Sequence, residues 1–199
     1  SSAKRTDQNR EKMKFKELNE AVERNIVKLF TAFHEKPAIF LSESDMICYL
    51  YSMLINDSAF KVCPALENFS ANIESSETFL VHAEMRVNIR GRDRIVDISI
   101  FPPKKTIDYS AEFDNMIGIE IKFNRRVPAR KEPSNIIEDI KKVSDYESGY
   151  VLWLNWDREI DNEHLRQVEK IVENHENVKL FYLDLFSEPI KTNVKQLLK

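Results

Sequence analysis

Met116-Ile117-Gly118-Ile119-Glu120-Ile121-Lys122-Phe123 is the most strand-like stretch of this 199-residue chain. Side chains on a β-strand point alternately to its two faces. One face therefore carries the apolar residues of the stretch, namely Ile117, Ile119, Ile121 and Phe123. The other face carries Gly118, Glu120 and Lys122. The pattern predicts a strand with one buried face, while a carboxylate and an ammonium group lie side by side on the other, with open space beside them at Gly118.

A second strand of similar design is predicted at about residues 94–101. Val96, Ile98 and Ile100 share one face, and Asp97 is the single acid on the opposite, mostly apolar face. A buried carboxylate without a partner is costly, so Asp97 needs a cation, a hydrogen-bond donor or water. If this strand lies beside the strand at 116–123, Asp97 and Glu120 converge on one side of the sheet.

Two converging carboxylates repel each other, and a divalent cation removes that repulsion. Mg²⁺ prefers oxygen ligands and is typically held by one or two carboxylates together with waters and substrate phosphate oxygens. We therefore expect Asp97 and Glu120 to bind Mg²⁺ or Mn²⁺, which would assist phosphate hydrolysis. Lys122 would orient or deprotonate the attacking water, or stabilise charge on the phosphate.

The rest of the sequence predicts a mixed α/β fold. Apolar residues at helical spacing predict helices at about 7–35, 42–57, 133–146 and 161–175. Ser42 is the expected N-cap of the second helix, with Asp45 completing a capping box. Further strands are predicted at about 79–88, 150–155 and 178–185, and residues 57–78 are interpreted as irregular. This order predicts a mixed β-sheet flanked by helices.

The arrangement resembles the PD-(D/E)XK nuclease superfamily, with its restriction-endonuclease-like core, over about residues 42–155. Asp97 matches the acid of the second core strand, and Glu120-Ile121-Lys122 matches the (D/E)XK triplet. Glu43 matches the acid that many members carry at the start of the preceding helix, whereas Val96 stands where the motif has proline. The helix with Asp139 and Lys142 looks like the one that lies beside the active site in related enzymes.

The resemblance implies a Mg²⁺-dependent deoxyribonuclease that hydrolyses phosphodiester bonds in DNA. Its catalytic residues would be Glu43, Asp97, Glu120 and Lys122. Small members of the superfamily include junction resolvases, and many act as dimers, so a structure-specific substrate and a homodimer are expected. The nuclease-like domain would cover 42–199. Residues 1–41 would form an N-terminal helical extension, whose apolar stripe could form a dimer contact or pad the sheet.

Basic residues directly follow the strand that carries the triplet. They are Arg125, Arg126, Arg130 and Lys131. Because a phosphate backbone would leave the site in this direction, we expect these four residues to contact DNA.

Several less specific interpretations remain open on sequence alone. Glu120 and Lys122 could form an ion pair on a solvated strand face. Asp97 could pair with Arg92 or Arg94, and Glu84 rivals Glu43 as the additional acid. A catalytically inactive module with the same fold, which binds nucleic acid or a partner protein, is the alternative function.

Composition sets wider limits. The chain is 42% hydrophobic and has a net charge of −3, so it is not a basic nucleic-acid binder as a whole, although Lys and Arg can still concentrate around one groove. No apolar run approaches the roughly 20 residues that cross a bilayer. Cys48 and Cys63 lack the spacing of a zinc site and predict two reduced, mostly buried thiols. This cysteine usage favours the cytoplasm.

Overall fold

A computed structural model gives the structure of residues 2–61, 63–67, 76–89, 91–102, 106–108, 116–124, 132–156 and 159–198. The α-helices of this part of the chain are α1 (Ser2–Glu35), α2 (Glu43–Asn56), α3 (Glu132–Val143) and α4 (Asn162–Glu173). Its strands are β1 (Ala65–Glu67), β2 (Ser76–Glu77), β3 (Val81–Ala83), β4 (Arg86–Ile89), β5 (Arg92–Ile95), β6 (Ile98–Ile100), β7 (Thr106–Asp108), β8 (Ile117–Asn124), β9 (Ser148–Asn155), β10 (Val178–Asp184) and β11 (Lys191–Thr192).

A six-stranded mixed sheet forms the centre of the fold, in the order β11-β10-β9-β8-β6-β3. The pairs β3–β6 and β6–β8 are antiparallel, while β8, β9 and β10 run parallel to one another. Two smaller units lie beside it, the sheet β2-β1-β7 and the hairpin β4–β5. The prediction of a mixed sheet flanked by helices is therefore confirmed. Among the described helices, none has both the length and the apolar character that crossing a membrane requires.

The long helix α1 covers one face of the sheet. Its predicted apolar stripe is buried, and the Phe33 ring lies 5.7 Å from that of Phe123 in β8. Phe30 packs in the same way against Phe181 in β10, with 6.3 Å between ring centroids. The stripe thus pads the sheet, and residues 18–33 of the predicted extension share one hydrophobic core with the rest of the chain.

The strands predicted at 79–88 and 94–101 are each broken in two, contrary to the expectation of continuous strands. Glu84 interrupts the first with a φ of 49°, a left-handed conformation that ends extended backbone. Its N–H donates to the carbonyl oxygen of Asp97 at 3.0 Å, so the two breaks lie opposite each other. The hairpin β4–β5 consequently leaves the central sheet, and Asp97 lies in the bend just before β6.

The expectation of buried thiols was wrong, because Cys48 and Cys63 are both free and exposed. The buried stripe of α2 consists of Met46, Ile47, Leu50 and Leu54. Cys48 falls outside that stripe, on the solvent side of the helix.

Candidate active site

The candidate site lies at the edge of β8, at the point where β6 stops covering it. The pairing of β6 with β8 runs only from Ile100 opposite Ile117 to Ile98 opposite Ile119. Beyond this point two carboxylates replace the missing strand. Asp97 Oδ2 accepts a hydrogen bond from the Ile121 N–H at 2.6 Å, and Glu43 Oε2 accepts one from the Phe123 N–H at 3.2 Å.

The start of α2 positions Glu43. The Ser42 side chain accepts from the Asp45 N–H at 3.2 Å, while the Asp45 carboxylate accepts from the N–H groups of Leu41 and Ser42 at 2.8 and 2.9 Å. This is the predicted capping box, and it is confirmed. Because the box fixes the first residue of α2, it directs the Glu43 side chain toward the edge of β8.

The opposite wall of the site comes from α3. Lys142 Nζ lies 2.7 Å from Glu120 Oε1 and 3.3 Å from Asp139 Oδ1. Lys122 Nζ lies 3.5 Å from both Asp139 Oδ2 and Glu43 Oε1. The result is a charged cluster of four carboxylates and two ammonium groups, consisting of Glu43, Asp97, Glu120, Asp139, Lys122 and Lys142.

The sequence reading assigned no role to Asp139 or Lys142, although it placed their helix beside the site. The available signal was their three-residue spacing, which puts both side chains on one helical face. Sequence alone could not tell which face of α3 meets the sheet.

The less specific interpretations are tested by these contacts. Glu120 is only 2% exposed, so the solvated strand face was wrong for this residue. Arg92 and Arg94 form ion pairs with Asp145 and not with Asp97. Glu84 is exposed, and its side chain makes no hydrogen bond or ion pair within the described residues. The structure thus brings Glu43, and not Glu84, together with Asp97, Glu120 and Lys122.

The expectation of open space at Gly118 was wrong. A Cβ atom built on Gly118 would lie 2.8 Å from the ring of Tyr146, which follows α3. Glycine is needed there because the aromatic ring packs directly on the backbone of β8. Tyr146 thereby closes the end of the site next to Gly118.

Burial and repulsion from neighbouring acids raise the pKa of both central acids. Burial raises the pKa of Asp97 to about 6, with a further contribution from the charge of Glu43 and opposition from the Ile121 N–H hydrogen bond. Burial likewise raises the pKa of Glu120 to about 8, and the charge of Asp97 adds to this increase. A cation beside acids that repel each other would stabilise their ionised forms.

Burial has the opposite effect on the two lysines, but their pKa values are nevertheless raised. Burial lowers the pKa of the Lys122 ammonium group, but the charges of Asp139 and Glu43 outweigh burial, so this pKa is raised. The pKa of Lys142 is also raised, because its hydrogen bonds to Glu120 and Asp139 and the charges of these two acids together outweigh burial. Both side chains therefore carry a positive charge at neutral pH.

The oxygen donors of the cluster fit a hard divalent cation. Asp97 Oδ1 and Glu120 Oε2 take part in no hydrogen bond or ion pair among the residues that the structure describes, and within that part of the chain both oxygens are available to coordinate. In the described parts of the chain, no three His, Cys, Asp or Glu side chains are grouped closely enough to hold a metal ion unaided. Mg²⁺ does not need such a group, since it takes most of its ligands from water and phosphate.

The residues predicted to contact DNA cannot be placed. Arg125, Arg126, Arg130 and Lys131 lie outside the described residues. Their role therefore stays a prediction from sequence.

Comparison with protein-family models, curated proteins and solved structures finds no match to this chain.

Proposed function

We propose that this chain is a Mg²⁺- or Mn²⁺-dependent deoxyribonuclease of the PD-(D/E)XK type, which hydrolyses phosphodiester bonds in DNA. The observation that carries the proposal is the pair of half-buried Asp97 and buried Glu120, whose pKa values are raised to about 6 and about 8 beside the Lys122 ammonium group. Strongly perturbed acids that share a site with a lysine are characteristic of catalytic centres.

The order of elements also supports the proposal. Helix α2 precedes the antiparallel strands β3, β6 and β8, and α3 then leads to β9, which lies parallel to β8. The restriction-endonuclease-like core that the chain resembles has this order: a helix, a three-stranded antiparallel meander, a helix and a further strand. Glu43 at the start of α2 and Glu120 on β8 lie where the resemblance expects acids, whereas Asp97 lies in the bend just before β6 and not on that strand.

Each residue of the cluster has a proposed role. Asp97 and Glu120 would hold the cation, which when bound supplies a Lewis acid for the phosphate being cleaved. Lys122 would orient the attacking water and stabilise negative charge that develops on the phosphate. Glu43, which lies 3.5 Å from Lys122 Nζ, would hold that ammonium group in place. Arg125, Arg126, Arg130 and Lys131 are proposed to contact the DNA backbone.

The substrate, the assembly and the compartment are proposed on the resemblance and the composition alone. A branched DNA, as cleaved by small junction resolvases, is the proposed substrate form, and the active species would be a homodimer. The proposed location is the cytoplasm.

The proposal is tested by incubating the purified protein with linear duplex, single-stranded and branched DNA in Mg²⁺, Mn²⁺ or EDTA. The matched variants are Lys122→Ala and Lys141→Ala, since Lys141 is an exposed lysine on α3. We expect metal-dependent cleavage that Lys122→Ala removes and Lys141→Ala retains. Binding of DNA without cleavage of any substrate would contradict the nuclease and support the inactive binding module instead.

A further inference from the structure

The role of Lys142 follows from its place in the charged cluster. Among the described residues its Nζ atom is the nearest cation to Glu120, at 2.7 Å from Oε1, and its side chain is 39% exposed. Lys122 contacts Glu43 and Asp139, so the two lysines share Asp139 but differ in their second acid. Asp139 lies between them, with Oδ1 3.3 Å from Lys142 Nζ and Oδ2 3.5 Å from Lys122 Nζ. Asp139 thereby holds Lys142 against Glu120.

The charge of the cluster limits how many metal ions it can hold. Carboxylates that bind a metal must be ionised. With all groups ionised, four negative charges meet two positive ones, which leaves a formal charge of −2. One divalent cation neutralises this charge. A second would leave two uncompensated positive charges in a largely buried site, which is strongly unfavourable.

The free oxygen atoms point to the same limit. Glu120 Oε1 is bonded to Lys142, and Asp97 Oδ2 is bonded to the Ile121 N–H. Each of the two acids therefore keeps one oxygen without a hydrogen bond in the described structure, which suits one shared cation. A second cation at Glu120 would have to displace the Lys142 ammonium group from Oε1.

We propose that Lys142 acts as a built-in second cation, so that the site binds a single divalent metal ion. This inference rests on the proposed function in taking Asp97 and Glu120 as the metal ligands. It adds that Lys142 on α3 supplies the positive charge that the second metal ion would supply in a two-metal nuclease.

The test is the number of Mn²⁺ ions bound per chain, measured by equilibrium dialysis on the full chain and checked by electron paramagnetic resonance. The wild-type protein should bind one Mn²⁺ per chain with the spectrum of an isolated ion. Lys142→Met, which removes the charge but retains a long side chain, should bind two Mn²⁺ with the spectrum of a coupled pair. Lys142→Arg and the exposed control Lys141→Met should each bind one.

The outcomes separate this inference from the proposed nuclease activity. Two Mn²⁺ on the wild-type chain, or one on a folded Lys142→Met variant, would overturn the role of Lys142 even if DNA is cleaved. One Mn²⁺ on the wild type and two on Lys142→Met, without cleavage of any DNA, would uphold the inference and overturn the nuclease. Absence of Mn²⁺ binding to the wild-type chain would overturn both. Thermal unfolding checks folding, and Lys142→Gln replaces Lys142→Met if the latter does not fold.

Discussion

Glu120 in β8 and Asp184 in β10 are two buried acids on the same face of one sheet, with exposed fractions of 2% and 0%. Both oxygens of Asp184 are hydrogen bonded: Oδ2 accepts from the Ile160 N–H and the Ser187 hydroxyl at 2.7 and 2.5 Å, and Oδ1 accepts from the Phe186 N–H at 3.0 Å. Glu120 has one ammonium partner, one oxygen without a hydrogen bond in the described structure, and a second acid nearby that raises its pKa.

Glu120 and Asp184 are buried to a similar extent, so they differ in the groups that surround each carboxylate. A carboxylate whose two oxygens both accept hydrogen bonds stabilises the loop around it and has no oxygen available for a ligand. A carboxylate crowded by other acids and left with a spare oxygen costs folding energy, and such a cost is characteristic of sites that bind or react. We therefore interpret Asp184 as structural and Glu120 as functional.

The variants of the two acids should differ most in their rate of DNA cleavage. Glu120→Gln should lower metal-dependent cleavage by about 10³-fold, because under the proposed function the metal would lose a charged ligand. Asp184→Asn should leave cleavage unchanged per folded molecule, since Asp184 does not contact the charged cluster. Initial rates on the cleaved substrate measure both effects. Equal losses in the two variants would contradict the distinction.

The free energy of unfolding should respond in the opposite sense. Asp184→Ala deprives the Ile160 N–H and the Ser187 hydroxyl of their acceptor and should cost about 2–4 kcal/mol. Glu120→Gln should cost less than about 1 kcal/mol or be stabilising without metal, since it removes the repulsion from Asp97 while an amide oxygen can still accept from Lys142. Urea unfolding in EDTA at about pH 8 gives both values. A larger cost for Glu120→Gln would identify Glu120 as a structural residue.

Stability should also depend on pH through the raised pKa values. Glu120 and Asp97 have pKa values of about 8 and about 6 in the folded chain, against ordinary values of 4.5 and 3.8. The folded state retains protons that the unfolded state releases. The contribution of these two acids to the free energy of unfolding is therefore fully present at pH values below their ordinary pKa values, and it is lost as the pH rises toward 8. Without metal, the free energy of unfolding should fall by at least about 1 kcal/mol between about pH 5 and about pH 8.5.

Urea titrations across this pH range measure the slope. It should become smaller in Glu120→Gln and stay unchanged in Glu138→Gln, an exposed acid on α3. A metal-free wild-type chain whose stability is constant or rises over this range would contradict the raised pKa values.

The strand Ile117–Asn124 and the shared face of Glu120 and Lys122 were predictable because strand alternation is a local property of the sequence. The capping box at Ser42 and Asp45 was predictable for the same reason, since it spans only three residues. Each of these features depends on residues that are close in the chain.

Features that depend on distant residues were not predictable. The strand break at Glu84 requires a left-handed conformation that a non-glycine residue rarely adopts, and its partner is the carbonyl of Asp97. Tyr146 covers Gly118 from 28 positions away in the sequence. The pairing of Lys142 with Glu120 depends on how α3 docks on the sheet. Sequence therefore indicated the two proposed metal ligands but not the lysine that is paired with one of them.

The smallest predicted effect concerns Glu43 and Asp45, two acids at the start of the same helix. Asp45 accepts from the Leu41 and Ser42 N–H groups, as a capping residue does, whereas Glu43 reaches across to the Phe123 N–H and Lys122. Glu43→Gln should lower cleavage or Mn²⁺ affinity by about tenfold, as expected for a residue that orients a catalytic group, and should barely change stability. Asp45→Ala should cost about 1 kcal/mol of stability and leave cleavage by the folded protein unchanged. Cleavage rates and urea unfolding midpoints, measured on the same preparations, test both predictions. If Glu43→Gln lost stability and kept its rate, Glu43 would belong with Asp45 and Asp184 among the structural acids.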